Sequence, residues 1–472
     1  MTRTHDARAQ MDDEPRHRPV TVDRAGSRRR GEDSLMSMDS AQTEEAVERP
    51  PIDFRRPVAA DMVEHPPGCP FDPAPGMVAR RGQGAVQPFQ LLTGMTAYLV
   101  TGFAESRSVL ADPRFSADKF RNREATSFRP EEVAAMGAAA ERGGCPVVSP
   151  ADAAPRGDGY FIFMDPPEHT RLRRLLTGHF TVRRMQKLES RLREIAAEQI
   201  EAMRAAGTEA ELIRDYALPI PSLMISELLG VDPDDRDHFQ EFTSVGTNVE
   251  ATEEERMAAS AVQQRFMRKL VADKRADPGE DIISDLVRAT DAGLTDAQLV
   301  DIAIVLLGAG HETTANLLGL GALALMTHPD QLAALRADRE LFDNCVEELL
   351  RFMSIAQLGV TRIATEDVTL GGVEIPAGAT AIVAMPEANR DPQHFTDPDR
   401  FDVTRPRPSH LGFGHGVHQC LGQQLARMEL SIGLEELFTR LPGLRLTVPL
   451  EEIQIKTEML IFGVQSLPVT WA

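Results

Sequence analysis

The spacing of apolar residues predicts a mostly helical chain between residues 165 and 352. Apolar residues recur at i, i+3 and i+4 in RRMQKLESRLREIAAEQIEAM and again around residues 257–275, which is the period of one helix face. The run from Asp296 to Thr327 is apolar nearly all round, so it predicts a helix through the centre of the molecule. Thr295 and Gln298 form a capping box at its start.

Strand-like alternation is confined to short stretches. TAYLV precedes a helical pattern, FAESRSVLAD, that ends at Pro113. VTLGGVEIPAGATAIVAM alternates between GG and PAG turns, and LRLTV and MLIFGV predict short strands near the end of the chain. The predicted fold class is therefore mainly α with a minor β part.

Two segments fall outside these patterns. Residues 1–50 are charged and polar with little apolar periodicity, so we expect a disordered N-terminal tail followed by a single domain over 51–472. Residues 120–160 form a long excursion rich in turn residues, which is typical of a lid or of disorder.

Composition narrows the possible partners and the compartment. The 472 residues carry a net charge of −21, which argues against nucleic acid or an anionic membrane surface as a partner. Cys69, Cys145, Cys345 and Cys420 are far apart, which is typical of neither a disulfide framework nor a zinc ribbon. With no signal peptide or membrane span predicted, we expect a cytoplasmic protein.

The centre of the long predicted helix carries the motif AGHETT. Burying Glu312 costs several kcal/mol unless the carboxyl is hydrogen-bonded or protonated, and Gly310 weakens the helix by about 1 kcal/mol. The motif indicates either a functional distortion or a polar pocket without chemistry. Ala315 stands four residues after His311, which excludes a zincin site.

A second motif, DPPEHTRLRRLL, predicts a helix capped by Asp165, with Pro166 at its first position. One face combines Leu with His169 and Arg173, which fits an anionic ligand on an apolar body. The opposite face is the start of a positively charged patch that would suit an acidic partner. The alternative interpretation is that these charged side chains are simply a solvated helix face. That patch comprises Arg171, Arg174, Arg183 and Arg184.

A third motif pairs Glu348 with Arg351 at helical spacing, with Arg362 and Arg400 downstream. Such a pair contributes only about 0.2–0.5 kcal/mol on a surface. Whether this pair has a structural role depends on whether Arg362 and Arg400 contact it.

The stretch FGHGVHQCLG leaves several roles open for Cys420: a buried thiol, a nucleophile beside His418, or a zinc ligand with His415 and His418. Gly414 and Gly416 would let backbone N–H groups approach a thiolate, and Gly422 would open the following helix. The pattern favours a thiolate ligand to haem iron.

FGHGVHQCLG resembles the haem-binding loop of the cytochromes P-450. AGHETT is similar to that family's oxygen-activation helix, and ELLR, DPDRF and DPPEHTRLRRLL are similar to further motifs of it, in the family's order. The resemblance covers roughly residues 60–472 and points to soluble bacterial members of secondary metabolism or xenobiotic oxidation. It implies that haem b lies between the long central helix and the cysteine-loop helix.

The resemblance also implies roles for individual residues. Cys420 would be the axial iron ligand, with Phe413 packed beside it. Glu312 and Thr313 would relay protons to dioxygen, and Ala309 would leave room for it. The haem propionates would be held by His169, Arg173, Arg362 and His418. Glu348, Arg351 and Arg400 would be structural, and His311 has no expected role.

The implied activity is insertion of one oxygen atom from dioxygen into a lipophilic small molecule, by hydroxylation or epoxidation. Electrons would come from a separate ferredoxin and its NAD(P)H-dependent reductase, docked on the positive patch of a monomeric enzyme. A peroxide-driven peroxygenase is one alternative, although the Glu312–Thr313 pair speaks against it. A non-catalytic haem protein is the other.

Overall fold

Helices make up most of the chain that the computed structural model describes. The described residues are 60–65, 70–91, 95–118, 158–232, 252–358, 360–456 and 461–472. Their α-helices are α1 (Pro75–Val78), α2 (Phe103–Ala111), α3 (Glu168–Thr177), α4 (Val182–Met185), α5 (Glu189–Ala206), α6 (Pro219–Leu229), α7 (Glu253–Ala276), α8 (Ile282–Arg288), α9 (Asp296–Thr327), α10 (Pro329–Ala337), α11 (Leu341–Phe352), α12 (Met385–Ala388) and α13 (Gln423–Arg440).

The strands form one larger and two smaller sheets. They are β1 (Val86–Gln90), β2 (Thr96–Val100), β3 (Phe115–Ser116), β4 (Glu209–Glu211), β5 (Val360–Ala364), β6 (Val368–Leu370), β7 (Val373–Ile375), β8 (Thr380–Val383), β9 (Arg445–Leu446) and β10 (Pro468–Thr470). The strand orders are β1-β2-β8-β5-β3, β4-β10-β9 and β6-β7. Among these described strands, only β2 and β8 pair in parallel. The fold is therefore mainly α with a minor β part, as predicted.

Helix α9, the central helix, organises the main core. It begins and ends at the predicted residues, and the Thr295–Gln298 capping box is formed. Helices α6, α7 and α13 pack against it, so its apolar side chains are buried on most sides. This explains why the sequence is apolar nearly all round the helix.

Several local predictions were wrong. Helix α3 begins at Glu168, and Asp165 does not cap it, because its carboxylate instead accepts from the Ala117 N–H at 2.8 Å and from the Ser116 hydroxyl. The predicted strand in LRLTV shrinks to Arg445–Leu446. In the described part of MLIFGV only an isolated bridge forms, between Val464 and Ile455.

The predictions for the N-terminal tail and the 120–160 excursion concern residues that the structure does not describe. The tail at 1–50 and most of the 120–160 excursion lie outside the described residues, so the proposed domain boundary stays a prediction. Among the helices that the structure describes, none is long and apolar enough to cross a membrane.

Candidate active site

A cavity of about 430 Å³ lies between the middle of the central helix and the loop that carries Cys420. Apolar side chains form most of its wall. The residues selected from the sequence also line it, with the exception of Glu312: His169, Arg173, Ala309, Thr313, Arg362, Phe413, His418 and Cys420. Motifs separated by up to about 250 residues of sequence are thus brought to one site.

The loop before Cys420 is folded by its glycines. Gly414 has φ +69° and Gly416 has φ +73°, a backbone region that side chains disfavour. A Cβ on Gly416 would also lie 2.3 Å from the carbonyl oxygen of Leu110. The Cys420 N–H donates to the Phe413 carbonyl at 2.9 Å, and Gly422 is the N-cap of α13. The thiol is therefore fixed beside a helix N-terminus.

The environment of the Cys420 sulfur differs from the predicted one. Burial raises the pKa of Cys420, while a hydrogen bond from the backbone of Gly422 and the charges of Arg173 and Arg427 oppose that rise. The amide acting on the sulfur thus belongs to Gly422, and Gly414 and Gly416 serve the turn. A metal cation would invert this balance, because a coordinated thiol is deprotonated.

Two of the other roles considered for Cys420 can be weighed against the described residues. Cys345 is a fully buried core thiol, its pKa raised by burial and then by Glu348, whereas Cys420 lines the cavity. Within the described ranges, no cluster of three His, Cys, Asp or Glu side chains could hold a metal ion. A zinc site around Cys420 is therefore not built there.

Four basic side chains meet at one edge of the cavity: His169, Arg173, Arg362 and His418. The imidazole rings of His169 and His418 lie 4.0 Å apart. Both ring nitrogens of His169 and Nε2 of His418 are buried without a hydrogen-bond partner. Within the described part of the chain, the Arg362 side chain donates to the carbonyl of Thr361, at 2.9 Å, and Arg173 donates to the carbonyl of Gln419.

This cluster concentrates positive charge and unpaired donors. Burial, then Arg173, lowers the pKa of His169 to about 4, and burial, then His169, lowers that of His418 to about 3. Buried polar groups are normally hydrogen-bonded, and cations favour partly buried anions. Among the described residues, the charge of Asp165 acts on His169 and Arg362, but its carboxylate is bonded to Ser116 and Ala117, so the cluster is suited to bind an anion.

Comparison with known proteins shows the family to which the chain belongs. Residues 248–469 match the family model described as Cytochrome P450. Cytochrome P450-SU2 of Streptomyces griseolus is 43% identical over 405 residues, which cover 86% of this chain and 95% of that protein. The chain belongs to the cytochrome P450 family.

Solved structures agree with this assignment. Rif16 is 45% identical with a TM-score of 0.74, and the match covers 88% of this chain and 100% of that one. CYP105P1 in complex with filipin I is 39% identical with a TM-score of 0.76, covering 86% of this chain and 97% of that one. The protein is thus a bacterial-type P450 monooxygenase whose cofactor is haem.

The residues of the cavity fit that cofactor. A haem brings two propionates and an iron that takes an axial thiolate. The unpaired nitrogens of His169 and His418 could bond the propionates, and the Cys420 thiol, which lines the same cavity, could supply the sulfur. The thiol and the unpaired histidine nitrogens of the cavity are therefore the kinds of group that the iron and the propionates of a haem bind.

On the central helix, the side chains of Glu312 and Thr313 have different surroundings. Thr313 lines the cavity and its hydroxyl donates to the carbonyl of Ala309 at 2.7 Å. Glu312 is only 8% exposed and is not among the cavity-lining residues that the structure describes. Its Oε1 lies 3.6 Å from Nζ of Lys456, and its Oε2 has no hydrogen-bond partner.

The Glu348–Arg351 pair is structural, but its third member is not the predicted one. Both side chains are fully buried and pair at 2.8 Å. The side chain of Arg400 is 64% exposed and approaches only Asp402, at 4.0 Å. Arg405 takes the expected place, with Nε 3.2 Å from the carboxylate of Glu348. The Arg405 guanidinium also donates to the carbonyls of Thr396, Asp397 and Arg400.

Glu429 is a cavity residue that the sequence analysis missed. It lines the cavity from helix α13, is 1% exposed and has an unpartnered Oε1. Burial raises its pKa to about 8, against a hydrogen bond with Thr314. Its spacing of four residues from buried Leu425 places it on the inner face of α13, which was the available signal.

The predicted positive patch is only partly free. Arg171, Arg174 and Arg183 are exposed, although Arg171 donates to the carbonyl of Ala292 at 3.3 Å. Arg184 pairs with Asp285 at 3.2 Å. Three cations therefore remain on this face for an acidic partner.

Replacing Arg405 by Ala should destabilise the protein far more than replacing Arg400 by Ala. The first change leaves buried Glu348 short of a partner and should cost about 3 kcal/mol of unfolding free energy. The second removes an exposed side chain and should cost less than about 0.5 kcal/mol. Denaturant unfolding of both variants checks this, and equal losses would show that Arg405 does not hold the carboxylate.

Glu429→Gln should make the protein progressively more stable than the wild type as pH rises. Between pH 4.5 and 8 the folded wild type keeps a proton on Glu429 that the unfolded chain releases, so wild-type stability falls across this window. Unfolding at pH 5 and pH 8 should separate the two proteins by roughly 3 kcal/mol more at pH 8. Glu452→Gln, on the surface, is the control, and a pH-independent difference for Glu429→Gln would contradict the assignment.

Proposed function

We propose that this P450 uses haem b to insert one atom of dioxygen into a lipophilic small molecule, by hydroxylation or epoxidation. For hydroxylation, the substrate R–H, dioxygen, two electrons and two protons give R–OH and water. The observation that carries the proposal is the cavity itself, which joins a thiol, an unpaired basic cluster and a Thr-lined central helix. We place its role in secondary-metabolite tailoring or xenobiotic oxidation, in the cytoplasm, as a monomer.

The chain's own residues would divide the binding of the cofactor between them. Cys420 would be the axial ligand, and a thiolate-ligated haem supplies the activation of dioxygen. His169, Arg173, Arg362 and His418 would bind the propionates by charge-assisted hydrogen bonds. Phe413 lines the cavity beside this loop, with the Arg427 guanidinium 4.5 Å from its ring, and would shield the sulfur from water.

Protons would reach the cavity along the central helix. Thr313 holds a hydroxyl at the cavity wall that can accept one proton while it donates another. Glu312 stands one residue before it and would supply the proton. Ala309 and Gly310 have little side chain, which leaves space at this point of the wall.

The rest of the wall indicates the substrate class. Apolar side chains come from the segment before α3, from α6, from the central helix and from the chain near β5, and the set includes Phe161, Ile225, Val305, Leu306, Ile355, Val360 and Ile461. Such a surface favours a lipophilic ligand. A similar protein, CYP105P1, was solved in complex with filipin I, and we infer that the cavity of this chain likewise takes a small molecule.

Electrons would come from a ferredoxin and its NAD(P)H-dependent reductase. An acidic ferredoxin would dock on exposed Arg171, Arg174 and Arg183, because opposite charges accelerate and orient association. The alternative, a peroxygenase, has no need of this surface or of Glu312 and Thr313.

The function is tested with holoenzyme, a plant-type ferredoxin and its reductase. Lipophilic compounds that shift the Soret band of the holoenzyme should stimulate dioxygen consumption, and labelled dioxygen should place one labelled atom in the product. Turnover with hydrogen peroxide but not with ferredoxin and dioxygen would favour the peroxygenase. Soret-shifting compounds that never stimulate dioxygen consumption would favour a non-catalytic haem protein.

A doubly charge-reversed variant, Arg171→Glu with Arg174→Glu, serves as the control for the electron source. It should slow reduction by ferredoxin at low salt and leave the compound-induced Soret shift unchanged, because the patch lies outside the cavity. An unchanged reduction rate would remove this face as the docking site.

A further inference from the structure

One short turn before helix α3 forms part of the cavity wall. Residues Phe161–Phe163 form a single 3-10 turn, and all three of their side chains line the cavity. Phe161 is 3% exposed and Ile162 is 42% exposed, so the turn extends from the buried part of the wall to its solvent-exposed edge. We call residues 159–163 the wall turn, and its position affects the space that a ligand has.

The wall turn is attached at both ends to elements that border the cavity. Directly after it, the backbone of Met164 forms a hydrogen bond with the imidazole of His418 in the cysteine loop. At its start, Gly159 is buried against the first turns of the central helix. The wall turn therefore connects the cysteine loop to the central helix along one side of the cavity.

Gly159 lies so close to the central helix that a side chain would not fit there. A Cβ on Gly159 would lie 2.5 Å from Cβ of Asp301 and 2.5 Å from the carbonyl oxygen of Gln298. A Cβ and a carbonyl oxygen move only with the backbone that carries them, so rotation of a side chain cannot relieve these contacts. A glycine at this position is therefore what lets the wall turn lie on the helix.

Two hydrogen bonds hold the wall turn on the helix. The Gly159 N–H donates to Oδ2 of Asp301 at 3.4 Å, and Nε2 of Gln298 donates to the carbonyl of Asp158 at 3.4 Å. Gln298 also belongs to the capping box, in which its Oε1 accepts from the Thr295 N–H at 3.0 Å. The start of the central helix thus offers one acceptor and one donor to this segment.

Asp301 is the charged member of this contact. Burial raises the pKa of Asp301 to about 6, against the hydrogen bond from Gly159, while Asp158 adds to the rise and Arg268 of α7 opposes it. The carboxylate is therefore ionised at pH 7.5, and a charged acceptor forms a stronger hydrogen bond than a neutral one. Asp158 is exposed, so water weakens its repulsion of Asp301.

We propose that Asp301 is a positioning residue for the cavity: it holds the wall turn against the central helix and thereby sets how tightly the cavity binds a lipophilic ligand. A wall that is already held in place costs less to order when a ligand binds. Gly159 permits the close approach, and the Asp301 carboxylate fixes it. This inference rests on the proposed binding of a lipophilic molecule and gives Asp301 no part in the oxygen chemistry.

The first test measures ligand binding to the ferric holoenzyme at pH 7.5, with 1-phenylimidazole and imidazole as probes. Both bind haem iron through a ring nitrogen, but only 1-phenylimidazole adds an apolar ring that can contact the wall. Asp301→Ala should weaken binding of 1-phenylimidazole about fivefold, because one hydrogen bond is lost, and leave imidazole binding unchanged. Asp301→Asn keeps an acceptor and should restore most of the affinity. Asp296→Ala, an exposed carboxylate of the same helix, is the matched control.

The second test measures amide hydrogen exchange in the holoenzyme without a ligand. Peptides that cover residues 159–164 should exchange faster in Asp301→Ala than in the wild type, while peptides from the C-terminal half of the central helix should not change. Gly159→Ala disturbs the same contact without changing the central helix, so it should reproduce both effects. It replaces Asp301→Ala if that variant does not fold.

Unchanged 1-phenylimidazole affinity in Asp301→Ala and Gly159→Ala would overturn the proposal. An equal loss of affinity for imidazole would also overturn it, because the effect would then lie at the iron and not at the wall. Neither measurement depends on turnover. Failure of labelled oxygen to enter any product would therefore defeat the proposed function while leaving the assignment of Asp301 standing.

Discussion

Unpaired positive charge beside the Cys420 loop is the constraint on which the rest of the site depends. Arg362 is buried and Arg173 half-buried, no carboxylate of the described residues bonds to either, and burial favours the neutral imidazoles of His169 and His418. Such a cluster is costly by itself, because unpaired buried donors lose their hydration. It becomes favourable when an anion completes it. The propionates of a haem would provide that anion, and its iron would convert the buried Cys420 thiol into a stabilised thiolate.

The fold supplies the rigidity that this arrangement needs. Gly416 lets the cysteine loop approach the end of α2, and the fully buried Glu348–Arg351 pair fixes the segment that leads to the loop through Arg405 and the backbone N–H of Asp402. On the other side of the cavity the central helix presents small residues and Thr313 inward and Glu312 outward. The oxygen side and the thiolate side are therefore held by separate networks, each anchored in the core.

Local signals in the sequence predicted the parts of the molecule that depend on neighbouring residues. The capping box and the continuous apolar run predicted the central helix to its end residues, and the motifs predicted that Cys420 shares one cavity with His169, Arg362 and His418. The wrong predictions concern side chains whose positions depend on contacts with residues far away in the sequence. Asp165 bonds β3 instead of capping its own helix, and Arg405 replaces Arg400 because the turn between them points Arg400 to solvent. Lys456 and Glu429 were missed because their partners lie more than a hundred residues away on the central helix.

The most direct test of the account is the absorption spectrum of the reduced, carbon monoxide-bound holoenzyme. If Cys420 binds the iron as a thiolate inside the basic cluster, the native protein shows the strongly red-shifted Soret band of thiolate-ligated haem, and Cys420→Ser loses it. A native Soret band at the position typical of histidine-ligated haem would contradict the account, since the cavity would then hold haem without the ligand around which it is built.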